Sequence, residues 1–360
     1  LWKRQVSLDI ADDAGQVRLT FSKHRIDFEY QSSIGWANDR CIISIYNLSE
    51  DEIKALQSRK SGFLSCTIKA GYKDTTGLVD YLTNSDAPTQ TICVGTITNA
   101  LSCKIPPDNI TKLYIIPENV YKWTKVDINY GIRVNSLITP GDTLERVFQN
   151  LGIQVGMSFR YFGIPDEILK YKFNRGRSFH KTLVDELQNL CEEFNLTFCL
   201  RPNFVEIYPS NVGSIPSIRD ILKDTKTIEI TPRMVIGQPV ATVSQIALSL
   251  NLNASIQSGM IIDVSKLIDP TGSKVGLGYM QYNDGWDLTI DATRVALGLS
   301  NTYQIQTLVH HGSTHAPEFQ TDIAGVYGVG NSMDLTSDFK DWYSDAFQAE
   351  NYMHQPGSAW

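Results

Sequence analysis

No apolar run in this 360-residue chain approaches the ~18 residues of a membrane-spanning helix, so membrane insertion is not expected. The chain does not open with the charged, apolar and small-residue regions of a secretory signal, and with Leu1 in place of Met a start upstream is an expectation. Cysteine is sparse. The six cysteines stand at positions 41, 66, 93, 103, 191 and 199 with no Cys-x-x-Cys pair. Disulfide frameworks belong to much smaller secreted domains, so buried free thiols and folding in a reducing cytoplasm are expected. A positive charge excess is missing too. The formal net charge of −7 argues against tight nucleic-acid binding, which needs clustered Lys and Arg, but it suits a wall that DNA slides past. There is no Gly-x-Ser-x-Gly elbow, phosphate loop or dinucleotide fingerprint. No spacing among the 39 acidic residues singles out an acid and base pair, and Asp185-Glu186 and Glu192-Glu193 fall on solvated faces of a predicted helix. The expectation is a protein without enzymatic activity and without a cofactor.

What is present is largely β pattern. In the segment from Cys41 to Ile53, Ile43 and Ile45 share one face by the period of two, and Asn47-Leu48-Ser49 turns the chain. Ser49 and Glu52 then form a capping box ahead of Ile53 and Leu56. Val17 to Phe21, Arg25 to Tyr30 and Leu64 to Ala70 alternate apolar and polar residues, which reads as a small antiparallel barrel or sandwich. Lys73 to Gln90, rich in Asp, Thr, Gly, Asn and Pro, reads as a projecting surface loop.

The middle third changes character. Leu144, Val147, Phe148 and Leu151 fall at helical spacing, with Asp142 as cap and Gly152 as stop. Phe179, Leu183, Leu187, Leu190, Cys191 and Phe194 make a second amphipathic helix capped by Ser178. A hairpin follows from Leu196 to Leu200 and Phe204 to Tyr208, turning at Arg201-Pro202-Asn203. This stretch, Val120 to about Asp224, reads as an α+β insertion. Strand patterns return at Thr227 to Ile230, Ala241 to Leu250, Met260 to Val264 and Thr302 to Val309, with a polar loop around Asn283-Asp284-Gly285. No sequence repeat connects this β region with the first.

The segment ending in Ile45-Tyr46-Asn47-Leu48-Ser49, the Ala70-Gly71-Tyr72 segment and the short strand Ile92 to Ile97 with its central Gly95 together resemble the baseplate hub proteins of tailed bacteriophages. So does the later stretch from Ile228 to Pro239, with Ile236-Gly237-Gln238-Pro239 leading into a strand, an Asn-rich turn and another strand; Arg233-Met234 departs from the usual Thr-Gly-Leu approach. The resemblance runs from about Ile26 to Trp342 and rests on order and spacing, not on any catalytic residue. It implies an α+β, mainly β fold of two tail-tube-like antiparallel β-barrel domains around an inserted α+β region. The divisions are 1–118 and 226–330 for the barrels, 119–225 for the insertion and 331–360 for a C-terminal interaction segment. It also implies a homotrimeric structural protein of the virion, assembled in the host bacterial cytoplasm. Its partners would be the tail tube protein, a central spike or tail-tip protein and other baseplate proteins, with DNA able to pass through the lumen. A carbohydrate- or receptor-binding β protein of the tail tip is the alternative, motivated by six Trp and sixteen Tyr, although most of these aromatics alternate within strands or sit on apolar helix faces.

Three further features call for a reading. His310-His311-Gly312-Ser313-Thr314-His315 has the look of a metal site, yet Gly312 and Ser313 break the helix that would converge His311 and His315, so a structural turn without metal is expected. The Asn-x-Ser/Thr triplets at Asn47, Asn109, Asn195 and Asn253 read as turn and cap chemistry. In the last 30 residues Leu335, Phe339, Trp342, Tyr343 and Ala346 share one helical face, while Asp334, Asp338, Asp341, Asp345 and Glu350 outweigh Lys340. Leu335, Phe339, Trp342, Tyr343, Phe347 and Trp360 are the candidate partner contacts, since aromatics concentrate binding energy at interfaces.

Overall fold

Alternation of apolar and polar residues builds much of the first β region, as the burial of every second side chain over residues 6–10, 41–45 and 66–70 demonstrates. A computed structural model describes residues 4–12, 15–34, 39–57, 64–72, 89–118, 120, 130–132, 142–201, 204–210, 227–241, 245–268, 281–282 and 302–326. Residues 73–88 of the loop predicted over Lys73 to Gln90, the loop around Asn283, Pro202-Asn203 of the hairpin turn and the whole segment 331–360 lie outside these residues, while Thr89 and Gln90, expected in the loop, open a strand paired with Gly71 and Ala70. The first region contains β1 (Arg4–Ala11), β2 (Val17–Phe21), β3 (Ile26–Ser33), β4 (Arg40–Tyr46), helix α1 (Glu50–Gln57), β5 (Ser65–Tyr72), β6 (Thr89–Ile105) and β7 (Asp108–Pro117). These strands pair antiparallel in the order β3-β4-β7-β6-β5-β1-β2. Val6, Leu8 and Ile10 of β1, Cys41, Ile43 and Ile45 of β4, and Cys66, Ile68 and Ala70 of β5 point into one core. The capping box forms as its spacing predicts: the Ser49 N–H donates to Glu52 Oε2 at 2.8 Å and the Glu52 N–H donates to Ser49 Oγ at 3.3 Å.

The middle region holds β8 (Tyr130–Ile132), α2 (Leu144–Val155), β9 (Ser158–Tyr161), α3 (Asp166–Leu169), β10 (Arg177–Phe179), α4 (Leu183–Glu193), β11 (Leu196–Leu200) and β12 (Phe204–Pro209). β8 and β10 pair as a two-stranded ribbon, and β11-β12-β9 form a three-stranded sheet in which β12 and β9 run parallel. Leu144, Val147, Phe148 and Leu151 of α2 and Leu183, Leu187 and Leu190 of α4 bury one shared core with Phe198, Val205 and Ile207 of that sheet.

Four local expectations are corrected here. Thr143, not Asp142, caps α2, its hydroxyl accepting from the Arg146 N–H, while Asp142 pairs with the Arg146 guanidinium at 3.5 Å. The helix runs through Gly152 and ends at Gly156, whose φ of 71° is the left-handed cap; Gly152 is a packing notch, since a Cβ there would lie 2.4 Å from the Met157 carbonyl oxygen. Thr182 caps α4 in place of Ser178, which lies in β10, and Glu186 is buried where a solvated face was expected. Its carboxylate reaches back to accept from the His180 and Lys181 N–H groups, both at 3.1 Å.

The last region comprises β13 (Thr227–Glu229), β14 (Val235–Ala241), β15 (Gln245–Asn251), β16 (Ile261–Asp263), α5 (Ser265–Ile268), β17 (Gln281–Tyr282), β18 (Thr302–Ser313) and β19 (Phe319–Val326). Its order is β17-β14-β15-β19-β18, with β16 pairing the start of β18 and β13 pairing β16. Ile246, Leu248, Leu250, Ile305, Leu308 and Ile323 form its core.

The two β regions, expected as separate barrels, are joined edge to edge. Thr307 to Ser313 of β18 pair antiparallel with Ser33 to Asp27 of β3, which makes one mainly antiparallel 14-stranded sheet among the described residues. Phe319 and Leu252, from the last region, pack in the core of the first.

Candidate functional site

The first four residues of the histidine motif close a strand, and its last two open the turn. β18 continues through His310, His311, Gly312 and Ser313, and the turn begins at Thr314. Neighbouring residues of a strand point to opposite faces, so the two imidazoles diverge. His310 is 1% exposed, stacks on Tyr30 with ring centroids 6.1 Å apart, and has Nδ1 2.9 Å from Thr321 Oγ1. Burial pushes its pKa down to about 4, so it is a neutral core side chain. His311 Nε2 lies 2.6 Å from Asp322, a carboxylate only 2% exposed. Burial works against its charge, but the Asp322 hydrogen bond and charge, with Glu318 and Glu29 nearby, outweigh that and raise its pKa. His315 Nδ1 contacts Thr314 Oγ1 at 2.8 Å. Gly312 is required between these groups, because a Cβ there would meet the Phe319 ring at 2.6 Å and the Phe28 ring at 3.0 Å. Among the described residues no three His, Cys, Asp or Glu side chains are gathered to hold a metal.

Three of the four Asn-x-Ser/Thr asparagines act in turns, whereas Asn109, expected in a turn, lies in β7, its Oδ1 accepting from the Ser102 hydroxyl at 3.1 Å. Asn47 and Asn195 adopt φ of 58° and 52°, Asn47 Oδ1 accepts from the Asn109 N–H at 2.9 Å, and Asn253 Oδ1 accepts from the Ser255 N–H at 3.0 Å. Five of the six cysteines are buried thiols, and Cys103 is exposed.

A buried polar bracket, not foreseen from the sequence, fastens the inserted unit to the last β region. Arg201 and Tyr208 both donate to Glu206 Oε2 at 2.8 Å, and the Arg201 guanidinium donates also to the Ser258 carbonyl. Ser258 Oγ in turn meets Ser32 Oγ of β3 at 3.0 Å. A small apolar patch of Phe162, Cys199, Tyr208 and Ile261 lies beside the bracket. The spacing of Arg201, Glu206 and Tyr208 across a hairpin was the available signal, since alternate residues flanking one turn share a face.

Among the described residues the β6–β7 hairpin leaves part of one β6 edge without a second strand, and there the Gln57 amide donates to the Ala100 carbonyl at 3.3 Å. β6 pairs with β5 only as far as Thr96, and beyond Ile97 it pairs with β7 alone among the described residues. Leu101 and Ile105 on this arm are 51% and 54% exposed. Leu335, Phe339, Trp342, Tyr343, Phe347 and Trp360 lie outside the described residues. No described helix is long and apolar enough to cross a membrane.

Neither a protein-family model nor a curated protein sequence matches the chain. Solved structures do. The 43 kDa tail protein of prophage MuSo2 from Shewanella oneidensis superposes with a TM-score of 0.50 at 8% identity, covering 91% of this chain and 99% of that one. A tail protein from Neisseria meningitidis MC58 matches with a TM-score of 0.47 at 9% identity over 91% of this chain and 97% of that one. A Francisella PdpA-VgrG complex matches with a TM-score of 0.48 at 9% identity over 91% of this chain and 59% of that one. The chain therefore has the fold of a phage tail protein, as its sequence resemblance implied.

Proposed function

We propose that this chain is a structural protein of a phage tail, a baseplate hub that joins the sixfold tail tube to the threefold central spike or tail tip as a homotrimer. The observation that carries the reading is the end-to-end match to the prophage tail protein, 91% of this chain against 99% of that one. In this reading residues 1–118 and 226–330 are two tube-like units, 119–225 is an insertion and 331–360 is an interaction segment. Three chains with two such units offer six quasi-equivalent positions to the tube and keep threefold symmetry for the spike. The role is scaffolding without catalysis or cofactor. The site of assembly is the host cytoplasm, and the final location is the virion.

The free edge of β6, with Leu101 and Ile105 exposed along it, supplies a surface for a neighbouring copy, because an unpaired strand edge templates pairing with another chain. Electron microscopy and light scattering of the full chain with its spike protein test the reading. The expected result is threefold particles with subunit interfaces of about 2,000 Å² or more. Leu101→Lys with Ile105→Lys is expected to weaken trimer formation at least tenfold while leaving the monomer's stability within about 0.5 kcal/mol. A stable monomer at micromolar concentration in the presence of the spike overturns the hub reading, and specific glycan binding by that monomer would favour a receptor-binding role.

A further inference from the structure

The core of the first β region holds three free, buried thiols, Cys41 on β4, Cys66 on β5 and Cys93 on β6. Two of them touch although their strands are not neighbours. β7 lies between β4 and β6, and Cys41 pairs with Ile115 of β7. On the other side of β7, Gly95 lets β6 approach closely, since a Cβ there would lie 2.4 Å from the Ile116 carbonyl oxygen and 2.6 Å from Ile115 Cγ2. Cys93, two residues before Gly95 on the same inward face, is hydrogen-bonded to the Cys41 thiol. That bond goes to Cys41 and not to Cys66, which stands opposite Gly95 on β5.

Cys93 also stands where β6 is easiest to open. Thr89 to Val94 pair with β5 alone among the described residues, because the β6–β7 ladder ends at Gly95 and Pro117. Within that short stretch Cys93 pairs with Ile68 and Thr91 with Lys69, which leaves Ile92 as the extra residue of a bulge beside the thiol. The Cys41 hydrogen bond and burial hold the Cys93 pKa well above that of a free thiol, so the closed strand carries almost no thiolate and reacts only when this edge opens. Such a pair stays reduced during folding in reducing surroundings and is already in contact when an oxidant arrives.

We propose that Cys41 and Cys93 are a latent disulfide, closed by a small disulfide oxidant and tying β4 to β6 across β7. The chemistry is two successive thiol–disulfide exchanges. With β6 open, Cys93 loses its proton to solvent and attacks one sulfur of oxidised glutathione; a mixed disulfide forms, and one glutathione leaves as a thiolate that takes up a proton. Cys41 then loses its proton, displaces the second glutathione from Cys93 and completes the Cys41–Cys93 bond. The two cysteines give up two electrons, and oxidised glutathione is reduced to two glutathiones. The inference concerns one chain by itself and does not rest on the hub reading.

The full chain carrying Cys103→Ser, which removes the exposed thiol, is incubated with oxidised glutathione under native conditions and digested for mass spectrometry without reductant. The expected product is a linked Cys41–Cys93 peptide pair, in a chain lighter by two hydrogens and free of bound glutathione. Its thermal midpoint should rise by about 5 °C and fall back on reduction. Oxidation should quicken with urea below the unfolding midpoint, since opening of β6 limits it. Adding Cys66→Ser should leave the link intact, whereas Cys41→Ser should trap glutathione on Cys93. A Cys66–Cys93 link overturns the proposal, as does glutathione that stays on Cys93 while Cys41 is present. Chains that keep both thiols until they are fully unfolded overturn it as well.

Discussion

The two seams of this molecule are built from different materials. Between the β regions the seam is a backbone ladder, Asp27 to Ser33 against Thr307 to Ser313, sealed by Phe319 and Leu252 sitting in the first core. Arg4 braces it from the far side, donating to the Ala316 and Pro317 carbonyls at 2.5 and 2.6 Å, and the Tyr72 hydroxyl donates to the Phe319 carbonyl at 3.3 Å. Between the inserted unit and the last β region the seam is a few side chains: the Arg201, Glu206 and Tyr208 bracket on the Ser258 carbonyl and a four-residue apolar patch. A ladder opens only by unzipping buried peptide hydrogen bonds, whereas a side-chain bracket is released by one substitution. The β regions should therefore behave as one body and the inserted unit as an attachment to it.

Phe319→Ala is the most damaging way to probe the first seam. The ring packs edge-on against Phe28 and Tyr72 at 6.1 and 5.2 Å, so its loss leaves a cavity and costs about 3–5 kcal/mol. Hydrogen exchange should then report weaker protection in β1, β5, β18 and β19 together. If the last β region kept full protection while the first lost it, the two would be separate domains after all.

Arg201→Ala probes the second seam and is expected to cost about 3 kcal/mol, because Glu206 is left charged and poorly solvated. Exchange should quicken in the loop from Asn253 to Met260 while β11 and β12 keep their mutual ladder. Arg201→Met with Glu206→Leu and Tyr208→Phe should recover most of the loss, since replacing all polar partners leaves no buried charge behind. Equal damage in single and triple variants would mean that shape, not charge, holds this seam.

This division also explains what was legible in the sequence. Strand alternation in β1, β4 and β5, the Ser49 and Glu52 capping box and the helical spacing of Leu144 to Leu151 are local signals, and the folded chain keeps them. Caps displaced by one to four residues, as at Thr143 and Thr182, reflect competition among several Ser, Thr and Asp side chains for the same N–H groups. The first seam was invisible because it pairs residues some 280 positions apart, such as Asp27 and Ser313, and nothing in either strand marks the other as partner. Glu186 was misplaced for a related reason: it borders the apolar stripe, three residues after Leu183 and four before Leu190, and the chain entering α4 folds over it and offers the His180 and Lys181 N–H groups.

Acid separates the two adjacent histidines and, with them, the contributions to the seams. Thr321 Oγ1 accepts from the Asn253 N–H at 3.0 Å, so its own hydrogen points to His310 Nδ1, leaving Nε2–H to donate to the Ile256 carbonyl. Neutral His310 thus ties β18 to the Asn253 to Met260 loop that the Arg201 bracket grips. Its folded pKa of about 4 lies below the ordinary 6.5, so its stability is present above 6.5 and is lost as pH falls toward 4, by about 2 kcal/mol at pH 5. His311 has the opposite sign: its raised pKa, set by Asp322 with Glu318 and Glu29 against burial, makes its contribution complete below 6.5 and lost as pH rises through the folded value. Urea midpoints measured between pH 7.5 and 5 should fall less in His310→Asn than in the parent, and fall more steeply in His311→Asn. An acid slope unchanged by His310→Asn would remove His310 as the origin. A slope that flattens while exchange in the Asn253 to Met260 loop quickens in the parent alone would place acid sensitivity where both seams meet.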